Sequence, residues 1–326
     1  SGTIAGRTVV ALTAENVKNL GGGITGQDVG IAARVDLDNI GGAIAATRNL
    51  AASAGRDLNL VTTIRTQENA QGSRTHIDRV AGLYVTGPGG ALVAKAGRDV
   101  NLTGALILNA GAPDPAAQPA APDPGATALP AGAILISAGN NLTLGTVTQS
   151  DSQFLAWDGN NWRSDASAQE IGTRIHAQGN LTLLAGNDLA GRAAEVTSDQ
   201  GAVAALAGND ATFTAGQASQ AVDEAHRHKS RSGLLSSKTV TTRDTLAQTT
   251  AQASTLSGHT VTVLAGHDIA LIGSNAVSDH GTILLAGNDL SILAATDTHS
   301  GSHFRKEKKS GVLGTGGVGV MVGTRG

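Results

Sequence analysis

Residues 281–293 read GTILLAGNDLSIL: a short apolar run, the tetrad Ala-Gly-Asn-Asp, then a second short run. The tetrad recurs as AGRD at 54 and 96, AGNN at 138, AGND at 185 and 207, and AGHD at 265. Runs such as TVTVL at 260–264 alternate with period two, the period of a strand and not of a helix. Glycine takes positive φ without steric cost, and Asn and Asp tolerate it better than most residues. Each tetrad therefore reads as a corner between two short strands. The corners at 185 and 207 stand 22 residues apart and those at 265 and 286 stand 21 apart, the spacing of a stacked solenoid.

One such unit cannot bury its apolar face alone. Stacked, each strand pairs with its equivalents above and below, about 4.8 Å away. Connections between parallel strands are nearly always right-handed. The expectation is an all-β chain forming a right-handed parallel β-helix (solenoid) with extra-helical loops and hairpins, of about ten to thirteen coils and roughly 50–60 Å long at one strand spacing per coil. Equivalent corner residues should form ladders along the stack: Gly55, Asp57, Gly97, Asp99, Gly139, Asn141, Gly186, Asp188, Gly208, Asp210, Gly266, Asp268, Gly287 and Asp289. The chain is rich in Ala, a strong helix former, but the corners interrupt any helix every 20 or so residues.

Residues 1–60 read as plain short coils, with NLGGGI at 19–24 echoed by NIGGAI at 39–44. Residues 61–176 alternate coils with departures at 61–88, 112–130 and 151–172. The second departure holds all but one of the seven prolines, and the third holds both tryptophans, Trp157 and Trp162. Residues 177–256 form a larger repeat of two coils plus an excursion, and 257–326 begin a second copy. In both copies a basic stretch, 226–231 or 303–309, precedes Ser-Gly and an apolar pair.

Aromatics make up 2% of the chain, which suits a narrow solenoid interior filled by Ala, Val, Leu and Ile. The formal charge of −3 favours neither nucleic acid nor an anionic membrane. The absence of cysteine agrees with export, although cytosolic proteins also lack thiols. No apolar run approaches the 18 or so residues of a membrane-spanning helix, and no signal peptide opens the chain. The pattern starts and stops mid-repeat, as in a piece of a longer protein.

The stretches IDRVAGLYVTGPGGALVAKAGRDVNL, LGTVTQSDSQFLAWDGNNWR, EAHRHKSRSGLLSSKTVTTRDT and FRKEKKSGVLGTGGVGVMVGTR resemble the haemagglutinin-repeat region of filamentous-haemagglutinin-type exoproteins. The likeness is greatest to the second repeat region of contact-dependent growth inhibition exoproteins. It implies a secreted bacterial surface protein, exported through an outer-membrane two-partner transporter and acting on a target-cell outer membrane or receptor. In toxin-delivering members this region is associated with moving a C-terminal toxin across the target outer membrane. A filamentous adhesin that binds host cells or matrix is the alternative reading. The rod itself is expected to be monomeric.

Candidate chemistry is sparse. GTGGVG at 314–319 fits GxGxxG but lacks the strand–helix context and the acid of a dinucleotide site. The corner aspartates recur about every 21 residues, not every nine as in calcium-binding β-rolls, so hydrogen-bonded corners are expected and no metal. His226 and His228 have no further ligand placed near them by spacing. No nucleophile triad or carboxylate pair stands out, so neither an enzyme nor a cofactor is expected. A surface or membrane contact falls on Arg305, Lys306, Lys308 and Lys309 with Val318 and Val320, whose alternation with small residues resembles a membrane-facing strand.

Overall fold

The computed structural model describes residues 2–111, 129–231, 236–314 and 320–325. The expected departure at 112–130 lies almost wholly outside the described residues. The chain is all-β and stacks as a parallel β-solenoid.

Each coil contributes three strands. In one coil these are the two halves of Ala43–Ala54, bent between Ala46 and Asn49, and then Leu58–Val61. The tetrad separates the second strand from the third. The sequence reading allowed two strands per coil, because the bend inside Ala43–Ala54 carries no fixed turn residue.

The third strands stack in chain order: Val17–Leu20, Leu37–Ile40, Leu58–Val61, Val100–Thr103, the start of Leu142–Asp158, Leu189–Arg192, Ala211–Thr214, Ile269–Ile272 and Leu290–Leu293. These nine coils of the described residues make a rod about 40 Å long at one strand spacing each. They fall short of ten to thirteen because many of the other described residues form hairpins that leave the rod.

The core runs down the stack through register partners. Leu37, Leu58, Val100, Leu142, Leu189, Ala211 and Ile269 lie one above another, all buried. Small aliphatic side chains fill it. Phe213 is the one aromatic in this core among the described residues.

Four hairpins leave the rod, always after a third strand. They are Thr63–Asn69 with Gly72–Arg79, the outer part of Leu142–Asp158 with Asn161–Gly172, Gly216–Arg231 with Ser236–Gln252, and Thr298–Gly314 with Val320–Arg325. Neighbouring hairpins pair with one another, so eight strands form one antiparallel sheet, a wing along the flank of the solenoid. From the third coil onward, every second coil emits a hairpin. The spacing explains the rule: a hairpin adds two strands at about 4.8 Å, and two coils rise by the same amount.

Two departures differ from the sequence reading. The first ends at Arg79, and Gly82–Val85 is a coil strand with Leu83 and Val85 fully buried, not part of an excursion to 88. The second hairpin begins by Thr146, since the coil strand runs straight on into it without a break.

The choice between next coil and hairpin is made by one residue after the third strand. Gly21, Gly41, Gly104, Ala193 and Gly273 have φ between 46° and 63° there and turn the chain into the next coil. Thr62 and Ala215, which precede hairpins, do not occupy the left-handed region.

Candidate functional site

The tetrad corners form a ladder. Asp57 accepts from the Arg98 guanidinium at 2.8 Å and Asp99 from the Asn140 amide at 2.8 Å. Asn141 accepts from Asn187 at 2.9 Å, Asp188 from Asn209 at 2.8 Å and Asp268 from Asn288 at 2.9 Å. The same acceptor oxygens also take the backbone N–H of Asp99, Asn141, Asp188, Asp210 and Asp289 in the following corner. Burial pushes the Asp99 carboxyl up, but Asn140, the Asn141 N–H and Arg98 outweigh it and hold it below the ordinary range.

The corner glycines are required for a different reason from the one expected. None of the seven has positive φ. Each sits against the carbonyl of the corner before it. A Cβ on Gly97, Gly139, Gly186, Gly208, Gly266 or Gly287 would lie 2.0–2.2 Å from the oxygen of the preceding corner glycine, and one on Gly55 2.0 Å from that of Arg34. Coil-to-coil approach selects glycine here.

At one corner, Asp210, His267 and Asp268 bring three possible ligand atoms together. His267 stands where Asn209 and Asn288 stand in neighbouring coils, 3.2 Å from Asp210, and Asp210 also accepts the Asp268 N–H at 3.0 Å. The cluster is one rung of the ladder.

The wing is a single layer. Among its described residues only Val147 and Gly216, next to the rod, are buried. Its roots are sealed by buried hydroxyls. Thr62 donates to Gly104 O and accepts from Ala81 N, Thr173 bridges Leu102 O and Ala105 N, and Ser254 bridges Thr214 O and Ala194 N. Glu170 and Arg192 clamp the wing to the rod: Arg192 donates twice to Glu170, at 2.9 and 2.7 Å, and once to Ala215 O, while Glu170 accepts the Gln217 N–H. Sequence reasoning missed these groups. The available signal was a lone small polar residue at the root of these hairpins, before the chain leaves the rod at Thr62 and after it returns at Thr173 and Ser254.

Opposed residues on antiparallel strands share a face, and alternate residues switch faces. Arg227, Thr241 and Lys306 are opposed in one row, and Lys229, Thr239 and Lys308 in the next. The two basic stretches, far apart in sequence, thus merge on one face. Arg305 and Lys309 fall on the other face, where Glu307 lies 3.9 and 3.5 Å from them. The four cations grouped by sequence are divided two and two. Val318 lies outside the described residues, and Val320 opens the strand Val320–Arg325. Trp157 and Trp162 stand on the second hairpin, away from the coils: Trp157 stacks near His226, and Trp162 contacts Phe154 and lies under Arg243.

A haemagglutinin-repeat family model matches residues 235–326. The chain is 33% identical over 162 residues to the 16S rRNA endonuclease CdiA of Enterobacter cloacae, covering 49% of this chain and 5% of that protein. It is 36% identical over 181 residues to the deoxyribonuclease CdiA of Dickeya dadantii, covering 55% and 5%. The tRNA nuclease CdiA of Escherichia coli STEC_O31 is 36% identical over 96 residues, covering 29% and 3%. Over these matched parts the chain carries the haemagglutinin repeat and the sequence of the filamentous-haemagglutinin and contact-dependent-inhibition exoprotein family. It matches only about one-twentieth or less of the length of these CdiA relatives. No solved structure matches it. The haemagglutinin-repeat match takes in the return strand of the third hairpin, the last two coils and the fourth hairpin. In this chain the matched stretch is thus a coil pair together with wing strands.

Proposed function

We propose that this segment is a non-enzymatic rod of a secreted surface exoprotein, and that it supports delivery of a C-terminal toxin across a target cell's outer membrane. The observation that carries the reading is the wing. A rod used only to hold a tip away from the cell needs coils alone, whereas this one carries a second, coreless sheet with a cationic face. That face, with Arg227, Lys229, Lys306 and Lys308, meets phosphates of the target outer membrane, and the segment at 318–320 follows it. Export runs through a two-partner transporter that recognises a part of the protein outside this chain.

The test uses the full-length exoprotein with Arg227, Lys229, Lys306 and Lys308 changed to Thr. Attachment to target cells should persist while toxin entry falls. Loss of attachment itself would favour an adhesin, and unchanged entry would remove the wing from the delivery step. A parallel variant, Val318→Asp with Val320→Asp, tests the apolar segment by the same two readouts.

A further inference from the structure

One rung of the corner ladder is built from different chemistry. At the rungs of Asn140, Asn187, Asn209 and Asn288 an amide donates to the preceding corner at 2.8–2.9 Å. His267 takes that place in the corner before Ile269–Ile272. Its Nδ1 lies 3.2 Å from Asp210 Oδ1 and 3.3 Å from Asp268 Oδ2. A charge-assisted hydrogen bond is usually about 2.7–2.9 Å long. The ring therefore faces two carboxylates at once and closes tightly on neither.

Those two distances match the edges of a metal site. A tetrahedral Zn²⁺ holds imidazole nitrogen and carboxylate oxygen at about 2.0–2.2 Å, which sets its ligand atoms about 3.3–3.6 Å apart. The three ligand atoms here all lie within 4.8 Å of one another. Both carboxylates have an oxygen to give. Asp268 accepts from Asn288 and from the Asp289 N–H at Oδ1, which leaves Oδ2 facing the ring. Asp210 accepts the Asp268 N–H at Oδ1, and among the described residues its Oδ2 makes no hydrogen bond. The side chain of His267 is 55% exposed, so water reaches the fourth position.

An amide at this rung carries its own hydrogens and needs no ion. An imidazole with its proton on Nε2 instead turns the Nδ1 lone pair toward both acids. A proton on Nδ1 holds the ring to one acid at a time, whereas a metal ion engages all three groups. Imidazole with carboxylates suits zinc, while calcium and magnesium prefer oxygen alone. Asp210 stands at the corner before the third hairpin, and His267 and Asp268 at the corner after it.

We propose that Asp210, His267 and Asp268 form a surface site for Zn²⁺, and that the ion staples the coil before the third hairpin to the coil after it. The site is independent of any contact that the wing makes with a target cell.

Calorimetric titration of the 326-residue chain with Zn²⁺, after removal of metal by EDTA, tests this. The rival ligands are His259 and His280, whose rings stack with centroids 3.8 Å apart in adjoining coils. Two variants separate the sites. His267→Asn gives the rung the residue that neighbouring coils carry, and should match the parent in circular dichroism and in melting temperature without metal. In the second variant His259 and His280 both become Gln. The parent and the second variant should each hold a Zn²⁺ that His267→Asn binds at least about tenfold more weakly. Zn²⁺ should raise the melting temperature of the first two chains more than that of His267→Asn. Co²⁺ in place of Zn²⁺ should give the parent the visible bands of a tetrahedral site, and His267→Asn should lack them. A parent that binds no Zn²⁺ overturns the proposal. So does a His267→Asn chain that binds as the parent does, or loss of binding in the second variant.

Discussion

Phe213 rests on Gly191, its register partner in the preceding coil, and a Cβ added there would come 2.6 Å from the ring. The glycine is the space that the ring occupies. Gly191→Ala should destabilise the rod by about 1–3 kcal/mol, the range for overpacking a filled core. Adding Phe213→Leu should recover most of that loss. Urea melts of the single and double variants check the coupling, and simple additivity would contradict it.

The corner ladder ranks three substitutions. Leu183→Asp buries an unpaired charge at a fully buried position and should unfold the surrounding coils. Gly208→Ala forces its methyl against the Gly186 carbonyl, a backbone atom that cannot move without opening the stack. Asn209→Ala gives up one hydrogen bond to Asp188, about 0.5–1.5 kcal/mol. Thermal melting should show that order, and an Asn209→Ala change as severe as Gly208→Ala would refute the close-approach argument.

Ala193 adopts φ of 46° where other coils place glycine. A left-handed L-residue costs roughly 1–2 kcal/mol. Ala193→Gly should therefore raise stability by about 1 kcal/mol after the entropy lost to glycine, an increase readable as a higher melting temperature.

The wing root should loosen in acid. Burial pushes the Glu170 carboxyl up, but Arg192 and the Gln217 N–H outweigh burial and hold it below its ordinary value. A carboxyl depressed in the folded state contributes stability that is present above its unfolded pKa and lost as pH falls through the folded one. Hydrogen exchange at falling pH should show Asn161–Gly172 and the start of Gly216–Arg231 opening before the coil strands. Glu170→Gln should make the root looser at neutral pH and remove this pH dependence.

The solenoid was legible because its corners repeat in letters: Ala-Gly-Asn-Asp carries the period by itself. The bend between Ala46 and Asn49 was not, since Thr47 and Arg48 turn the chain without a residue type that announces it. The wing was readable as excursions but not as a sheet. Its strands pair across distances such as Asp151 to Arg74 and Arg243 to Phe304, which no local pattern encodes. The basic residues were visible, but as linear clusters. Only the pleat, which sends Lys306 one way and Arg305 the other, reveals which of them act together. The glycines were found for the wrong reason, because a sequence shows a flexible residue and not the carbonyl one coil away.

The hairpin on every second coil has a consequence for how such a chain can change in length. The tetrads at 207 and 286, 79 residues apart, mark a unit of two coils and one hairpin. Copying or losing that whole unit shifts both sheets by the same two strand spacings and leaves each unbroken. Gaining or losing a single coil keeps the rod intact but puts the wing out of step by one strand, a slip that no side-chain change repairs. Recombination within such a gene should therefore conserve the parity of coils, and inherited length variants should differ by pairs.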